Sequence, residues 1–504
     1  MNWFERTISV LSPGWAYRRW AYRSAMAELE RLYDAGSLDR RNARWTPTNQ
    51  TAEQADAPYR DRMRARARDL EQNSDIEGSI IRAFRRNVVG LGFTLQAHVK
   101  TRDGEGEDEV LNQQIEALWK RWCLPRNCDI SQQQSFSELC RMAVERTIVD
   151  GGLLFVKNYT ASGPVPFCLQ AREVDDLDTT AFYRTENGNL VVAGIELDAF
   201  NRPVAYYLRT VTPDGFTTGM STRVDAQRVI FLWDRRRPSQ VREVTRLAPT
   251  LERLRDIEEY MEAVSVKERV AACFAMFIEK QLPTSGMGRG NTTTPTDAKS
   301  GYANHTLTPG MIYEGQPGET AKAITPPASG SSARDFVALQ QRLAGSGQGL
   351  SYEATSRDMS QVNYSSARQG LLEDQSEYAI MQQFLVAHLL DEVYSEFVIS
   401  AVLSNALPMP GFWSDKYRYL EHEFIARGWS WIDPQKEADA NATALDTGQT
   451  TLAATCAAQG ADWREVLAQR AQELAAARAL EEQYRLPEGS LLKSVKAGTV
   501  KSEP

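Results

Sequence analysis

The sequence predicts an α+β, helix-rich chain on three observations. Helix–turn–strand units repeat in the first half, strand signals cluster before Trp233, and long stretches of helical periodicity dominate after it. In the first unit, Ile76 to Val89 carries apolar residues at helical spacing. Gly90 and Gly92 interrupt it, and Phe93, Leu95 and Ala97 then alternate with Thr94, Gln96 and His98. In the second, Phe136 to Val149 is helical, Gly151 and Gly152 stop it, and Leu153 to Tyr159 runs as a strand. Further strands are expected at Phe167 to Ala171, Leu190 to Leu197, Pro203 to Val211 and Arg228 to Trp233.

Ahead of these units lies a locally basic region. The first hundred residues hold 17 Arg and Lys against 12 Asp and Glu, and read as helices separated by a polar stretch from Pro47 to Pro58. Arg60, Arg62, Arg64, Arg66 and Arg68 recur at every second residue, which on a helix spreads charge around the cylinder. The run therefore reads first as a solvated helix, with contact to nucleic acid or to an acidic neighbouring subunit as the alternative.

After Trp233, Leu247, Leu251, Leu254, Ile257, Met261, Val264, Ala271, Ala275 and Ile278 fall at three- and four-residue steps, with one step of seven between Val264 and Ala271. They predict one helix of roughly 30 residues, or about 45 Å. Its other face is densely charged, which suits packing beside copies of itself as well as an ordinary bundle. Residues 281–330 are rich in Gly, Ser, Thr and Pro, with an apolar island at Met311-Ile-Tyr313 and hairpin chemistry at Gln316-Pro-Gly318. Helix resumes over residues 333–344. Gly345, Gly347 and Gly349 are expected to break it, and a polar loop follows to about Ser365. From Ser366 to Asn405, Leu371, Tyr378, Met381, Leu385, Leu389, Val393, Phe397 and Val402 predict a helix of about 60 Å, ended by Pro408 and Pro410. Asp433-Pro434 reads as an N-cap and first turn, and Asp462 with Glu465 as a capping box. Two alanine-rich helices then precede a polar tail.

With 504 residues, 42% hydrophobic and 25% charged, the composition is that of a globular protein of two to four domains, and the net charge of −8 excludes a conventional, strongly basic duplex-binding monomer. The six cysteines form no CxxC pair, which fits a reduced site of synthesis. The apolar run that includes Ala271 to Ile278 is under half of a membrane span, so no membrane segment or signal peptide is expected. No phosphate-binding loop of the GxxxxGK[ST] type occurs, and Gly286-Met-Gly-Arg-Gly290 lacks the strand and helix that would frame one. His98, His305, His388 and His422 make no HExxH pair and no zinc spacing, so neither metal nor cofactor is expected. His422, between Glu421 and Glu423, reads as a solvated surface histidine. A Mg²⁺-dependent nucleic-acid enzyme would need converging carboxylates. Asp175, Asp176 and Asp178 follow a strand in a polar turn with no histidine or lysine partner, which disfavours that reading. A helical scaffold that never meets DNA is the other alternative.

Several segments in order carry a family resemblance: Ser12-Pro13 with Tyr33-Asp34-Ala35, Arg66-Ala-Arg-Asp-Leu70, Asn87-Val-Val-Gly-Leu-Gly92 and Pro238-Ser-Gln240. They continue with Leu307-Thr-Pro-Gly-Met311, Gln316-Pro-Gly-Glu319, Asp358-Met-Ser-Gln-Val-Asn-Tyr-Ser-Ser-Ala-Arg368 and Ile432-Asp-Pro-Gln-Lys-Glu437. Individually weak, together they resemble the lambda-type portal proteins of tailed phages from about Ser12 to Leu480. The resemblance implies a portal fold closed into a cyclic ring of about twelve copies around a central channel. It implies a wing at 1–246, a first stem helix at 247–280, a clip at 281–330 and a second stem helix at 331–348. A tunnel loop would occupy 349–365, a long wing-spanning helix and return segment 366–432, and a helical crown with a polar tail 433–504. Arg242-Glu243 departs from the Arg-Gly pair expected before the stem.

The implied function is a structural channel, not an enzyme, at one capsid vertex of the virion, assembled in the host bacterial cytoplasm. Double-stranded DNA would be packaged through it by the large terminase subunit and later ejected. The implied neighbours are the major capsid or scaffold protein and the head–tail connector (adaptor) proteins. Candidate DNA contacts are Arg342, Gln348, Ser351, Ser356, Arg357, Ser360, Gln361 and Asn363, with Glu353 or Asp358 of a neighbour as an alternative partner for Arg357. Candidate terminase-facing clip residues are Arg289, Lys299, His305, Glu314, Glu319 and Lys322.

Overall fold

The computed structural model describes residues 14–15, 17–18, 21–22, 44, 47–103, 106–160, 163–211, 217–273, 277–280, 319–322, 330–360, 363–429, 434–487 and 489–491. The chain divides after Ala55 into two units. In the first, residues 14–15, 17–18 and 21–22 are helical. Everything below concerns the second.

Two helices open it, α1 (Arg60–Asn73) and α2 (Asp75–Phe84), with Ser74 between them accepting the Glu77 amide as N-cap of α2. A π-helical turn, Arg85–Val89, extends α2. The widened turn leaves carbonyls without their usual partners. The buried amide of Gln382 donates to the carbonyls of Asn87 and Val88, and to that of Arg427. Strand β1 (Thr94–Ala97) follows, then α3 (Glu109–Trp122) and α4 (Phe136–Val149), whose start is a complete capping box between Ser135 and Glu138.

The β body has two antiparallel sheets. One has the order β3-β2-β9, from Phe167–Arg172, Gly152–Tyr159 and Val229–Trp233. The other is a meander of β4 (Tyr183–Arg184), β5 (Leu190–Val192), β6 (Ile195–Leu197), β7 (Pro203–Val211) and β8 (Thr217–Asp225). Because successive strand residues face opposite ways, β2 serves two cores. Leu153 and Phe155 join the large core; Leu154 and Val156 join a smaller one with Ile195, Leu197, Tyr206 and Leu208. The sequence expected one strand from Leu190 to Leu197. Instead Ala193 and Gly194, both at positive φ, turn it into a hairpin.

Past β9 the chain runs through the buried pair Arg242-Glu243 and then packs on Gly151, where a Cβ would lie 2.5 Å from the Val244 carbonyl carbon. Helix α5 spans Leu251–Cys273, and Phe277–Lys280 is a strand, β10, paired antiparallel with β11 (Glu319–Lys322). The single helix expected over 247–280 is thus corrected at both ends. Between β10 and β11, Met311 to Tyr313 and the hairpin expected at Gln316-Pro-Gly318 lie outside the described residues.

Helix α6 (Gly330–Gln348) runs beside α5, with Tyr260 and Phe336 ring centroids 4.5 Å apart and Arg253 donating to Gln340 at 2.9 Å. Gly345 and Gly347 were expected to break this helix, yet both lie inside it. A Cβ would meet the Leu350 carbonyl at 2.9 Å from the first and Thr250 Cγ2 at 2.6 Å from the second, so they act as close-packing positions. Only Gly349, at φ +75°, turns the chain.

A short helix, α7 (Tyr352–Ser356), interrupts the expected polar loop. The longest helical stretch then begins with α8 (Tyr364–Leu385), passes through a second π turn, Val386–Leu390, and continues as α9 (Asp391–Leu403). It passes under an aromatic cluster in which Trp119 stacks on Trp122 at 5.0 Å and meets Phe397 edge-on at 5.1 Å. Trp122 also donates its indole N–H to the Phe167 carbonyl at 2.7 Å. Lys157 of β2, almost fully buried, is clamped between Glu392 at 2.7 Å and Glu396 at 3.3 Å of α9.

Strand β12 (His422–Ile425) closes on β1 in antiparallel register. His422 therefore is not a solvated residue: its ring stacks 4.0 Å from Tyr394, and its nitrogens lie 2.7 Å from the Leu420 carbonyl and 3.2 Å from Asp391. Among the described residues after β12, three helices follow where two were expected, α10 (Pro434–Asp446), α11 (Leu452–Ala458) and α12 (Trp463–Tyr484). Asp462 caps α12 through the Arg464 amide, while Glu465 pairs with Lys120, so the expected capping box does not form; Asp433 lies outside the described residues.

Candidate functional site

The segment joining α6 to α8 is bracketed by two fixed points. At its start Gln348 is buried, and its amide donates to Thr250 Oγ1 at 3.0 Å and to the Arg246 carbonyl at 3.4 Å. Arg246 in turn donates to the Gln348 carbonyl at 3.1 Å, pairs with Glu377 of α8 and lies 4.7 Å over the Phe84 ring. Three residues on, Ser351 caps α7 and gives both its N–H and its Oγ–H to Asp374, at 2.7 and 2.6 Å. Burial pushes the Asp374 carboxyl up, and the two Ser351 bonds oppose that shift.

Past α7, Arg357 adopts the left-handed conformation at φ 57° that ends the helix, its N–H bonded to the Glu353 carbonyl. Ser356 donates its hydroxyl to the Tyr352 carbonyl and accepts the Asp358 amide. The hydroxyl and amide of Ser360 hold the Asp358 carboxyl below its usual range. Asn363 caps α8 by accepting the Ser366 amide. Arg342 is exposed on α6, its guanidinium 4.9 Å over the Tyr352 ring.

The candidate DNA contacts thus separate into two groups. The Gln348 side-chain NH2 and the hydroxyls of Ser351 and Ser356 donate to groups inside the chain, while the buried Gln348 side-chain oxygen has no hydrogen-bond partner. Arg342, Arg357, Ser360 and Asn363 are exposed. Gln361 lies outside the described residues, as do Arg289, Lys299, His305 and Glu314. Glu319 and Lys322 are the two ends of β11, in register with Lys280 and Phe277.

Arg357 also has company that the sequence reading missed. It lines an open groove of about 680 Å³ with Arg82, Arg85, Arg86, Arg141 and Arg427, and no carboxylate is among the lining residues. Arg82, Arg85 and Arg86 come from the C-terminal end of α2 and its π turn, where the helix dipole favours cations. Arg141 donates to the Gly90 carbonyl at 2.8 Å, and Arg427 bonds the Arg86 carbonyl. The available signal was Arg82-Ala-Phe-Arg-Arg86, whose arginines at i, i+3 and i+4 share one helix face.

The arginine ladder of α1 divides: Arg62 and Arg66 are exposed, as a solvated helix expects, and the other three are not. Arg60, Arg64 and Arg68, four residues apart, face inward. Arg60 donates to the Glu243 carbonyl at 2.9 Å, Arg64 to the Glu243 carboxylate at 3.0 Å and to Asp175, and Arg68 to Asp150 and Asp175, each at 2.6 Å. Arg242, fully buried, binds Glu243 through two nitrogens and donates to the carbonyls of Ala193 and Val174, both at 3.1 Å. Asp176 accepts from Arg172 at 2.5 Å, and Asp178 pairs with Arg209. Each of the three carboxylates once weighed for Mg²⁺ is therefore engaged by an arginine.

A family model described as phage portal protein, lambda family, matches residues 38–382. A probable portal protein of Halomonas phage phiHAP-1 is 27% identical over 456 residues, covering 88% of this chain and 86% of its own. Portal protein B of Escherichia phage lambda is 22% identical over 463 residues, covering 85% and 86%. The portal protein of Escherichia phage N15 is 21% identical over 478 residues, covering 85% and 87%. Among solved structures, a chain from the neck of an empty gene transfer agent particle is similar with a TM-score of 0.42 and 13% identity, over 66% of this chain and 82% of that one. The family match spans well over half of the residues, and the chain belongs to the lambda family of phage portal proteins.

Proposed function

We propose that this portal protein closes into a ring of about twelve copies around a channel for duplex DNA. The observation that carries the proposal is the portal family match across residues 38–382. The side-by-side helices α5 and α6 serve as the stem, residues 281–330 as the clip that meets the terminase, residues 349–365 as the tunnel loop and residues 433–504 as the crown. Terminase hydrolyses the ATP, and the ring provides the passage into the capsid and, with the head–tail connector proteins, the way out. In this reading the protein resides at the capsid vertex, is built in the host cytoplasm beside capsid or scaffold protein, and does mechanical work only. Among the described residues, no helix is long and apolar enough to cross a membrane.

A passage for a polyanion must guide it without holding it. Neutralising several phosphates at once releases counterions and binds DNA by orders of magnitude. Sparse contacts suit the task, and the exposed Arg342 of α6 fills that role with Ser360, Asn363 and Gln361 of the loop. Arg289, Lys299, His305, Glu314, Glu319 and Lys322 are the clip residues proposed to face the terminase.

The test is a packaging reaction with capsids assembled with and without this protein, supplied with terminase, ATP and duplex DNA. Nuclease-protected DNA is expected only in capsids that contain it. Equal protection in its absence contradicts the proposal.

A further inference from the structure

The arginine groove has a counterpart of opposite sign. Between α1 and the first half of α5 lies a groove of about 730 Å³ whose lining includes Asp69, Glu252, Asp256, Glu258, Glu259 and Glu262. Its two guanidinia are Arg66 and Arg255, and Arg255 is already bonded to Glu259 at 2.7 Å. Glu252, Asp256, Glu258 and Glu262 have no ion-pair partner among the described residues. Next to this groove sits Glu77 of α2, fully buried, with neither carboxylate oxygen hydrogen-bonded. Asp69 and Glu258 of the groove wall add to the unfavourable surroundings of its charge.

The positive groove is unbalanced in the same way. Of its six guanidinia, Arg85 pairs with Glu145 at 2.8 Å and Arg141 lies 4.0 Å from Glu138, while Arg82, Arg86 and Arg357 have no ion-pair partner among the described residues. The dipole of α2 accounts for the sign at each end, since Glu77 lies in its first turn and Arg82 in its last. It does not account for so many like charges gathered at each groove. Like charges held close repel, and each groove gains when the opposite one is brought to it.

We propose that the two grooves pair between neighbouring copies of this chain, the arginine groove of one subunit receiving the acidic face of α5 from the next. The proposal rests on the ring reading above and adds which surfaces meet. The two grooves are different surfaces, so contact between them is heterologous, leaves one free groove of each sign on every pair and repeats from copy to copy until the ring closes. Charge complementarity of this kind sets orientation and speeds encounter. It also assigns Arg357 to a subunit contact, which leaves Arg342 of α6 as the sparse cation for DNA.

The experiment reverses each face on the complete chain, with Arg82→Glu/Arg86→Glu on one side and Glu258→Arg/Glu262→Arg on the other. The concentration at half-assembly is read by light scattering and electron microscopy. Each variant alone is expected to need at least about ten-fold more protein to form rings than the unmodified chain. The four-fold variant is expected to recover, and so is an equimolar mixture of the two single-face variants, which alternate around the ring. Recovery in the mixture also shows that neither variant failed for want of folding. The milder Arg82→Gln/Arg86→Gln chain is expected to shift assembly in the same direction, and more so at low salt. Three results overturn the pairing: rings unaffected by single-face reversal, no recovery in either the four-fold variant or the mixture, or intact rings that lose only duplex DNA binding. If the unmodified chain forms no ring at any salt concentration, the ring reading fails first and the pairing with it.

Discussion

Replacing Glu243 by alanine is expected to destabilise the protein by about 3–5 kcal/mol, the cost of leaving a buried charge without its partner. Glu243 has no exposed surface and neutralises Arg242, which is equally buried, and Arg64, which is 4% exposed. Arg242 loses its two bonds to the carboxylate, while its bonds to the carbonyls of Ala193 and Val174 stay. Asp61→Ala removes the 67%-exposed partner of the same Arg64 and is expected to cost about 0–1 kcal/mol. The double change Arg242→Met/Glu243→Leu is expected to regain part of the loss, because two apolar side chains leave no unpaired charge. Urea unfolding midpoints of the three variants decide the matter. A Glu243→Ala midpoint no lower than that of Asp61→Ala contradicts this account of the network.

Glu77→Gln is expected to stabilise the monomeric chain above neutral pH and to leave it unchanged below pH 4. Burial first, and then Glu71, Glu258 and Asp69, push the Glu77 carboxyl from its ordinary 4.5 up to about 8. Below 4.5 the carboxyl is protonated in both the folded and the unfolded chain, and the site costs nothing. Between 4.5 and about 8 the unfolded chain releases the proton while the folded chain keeps it, so stability falls as the pH rises. Above about 8 the loss is complete. At about 1.4 kcal/mol per unit of displacement, the upper bound is a few kcal/mol. Glutamine keeps the shape and carries no charge at any pH, so the difference in melting temperature between variant and parent is expected to grow from pH 5 to pH 8. A difference constant over that range contradicts the assignment.

Local structure was most legible where its causes are local. Phe136–Val149 emerged with both ends correct, because its apolar period, the Ser135–Glu138 cap and the glycines after it all lie within twenty residues. The Pro203–Val211 strand did so for the same reason. Misreadings arose where distant residues decide the outcome. Arg60, Arg64 and Arg68 look solvated in sequence, and their carboxylates at 150, 175 and 243 are brought to them only by folding. Gly345 and Gly347 look like breaks, but Thr250 and the Leu350 carbonyl need the room.

The candidate site divides along the same line. Ser351 was singled out as a polar loop residue, and nothing nearby in sequence announces that Asp374 holds it. Gln348 is engaged by residues about a hundred positions earlier. The arginine groove draws on α2, α4, the turn after α7 and the segment after β12, which no linear motif joins. Family membership was legible because order and spacing of weak motifs survive where single contacts do not.

The most direct test of the central claim is electron microscopy combined with mass measurement on the purified protein. The account predicts a closed ring of about a dozen copies around a hole wide enough for duplex DNA, more abundant at low salt. A monodisperse monomer or dimer at every salt and protein concentration contradicts it.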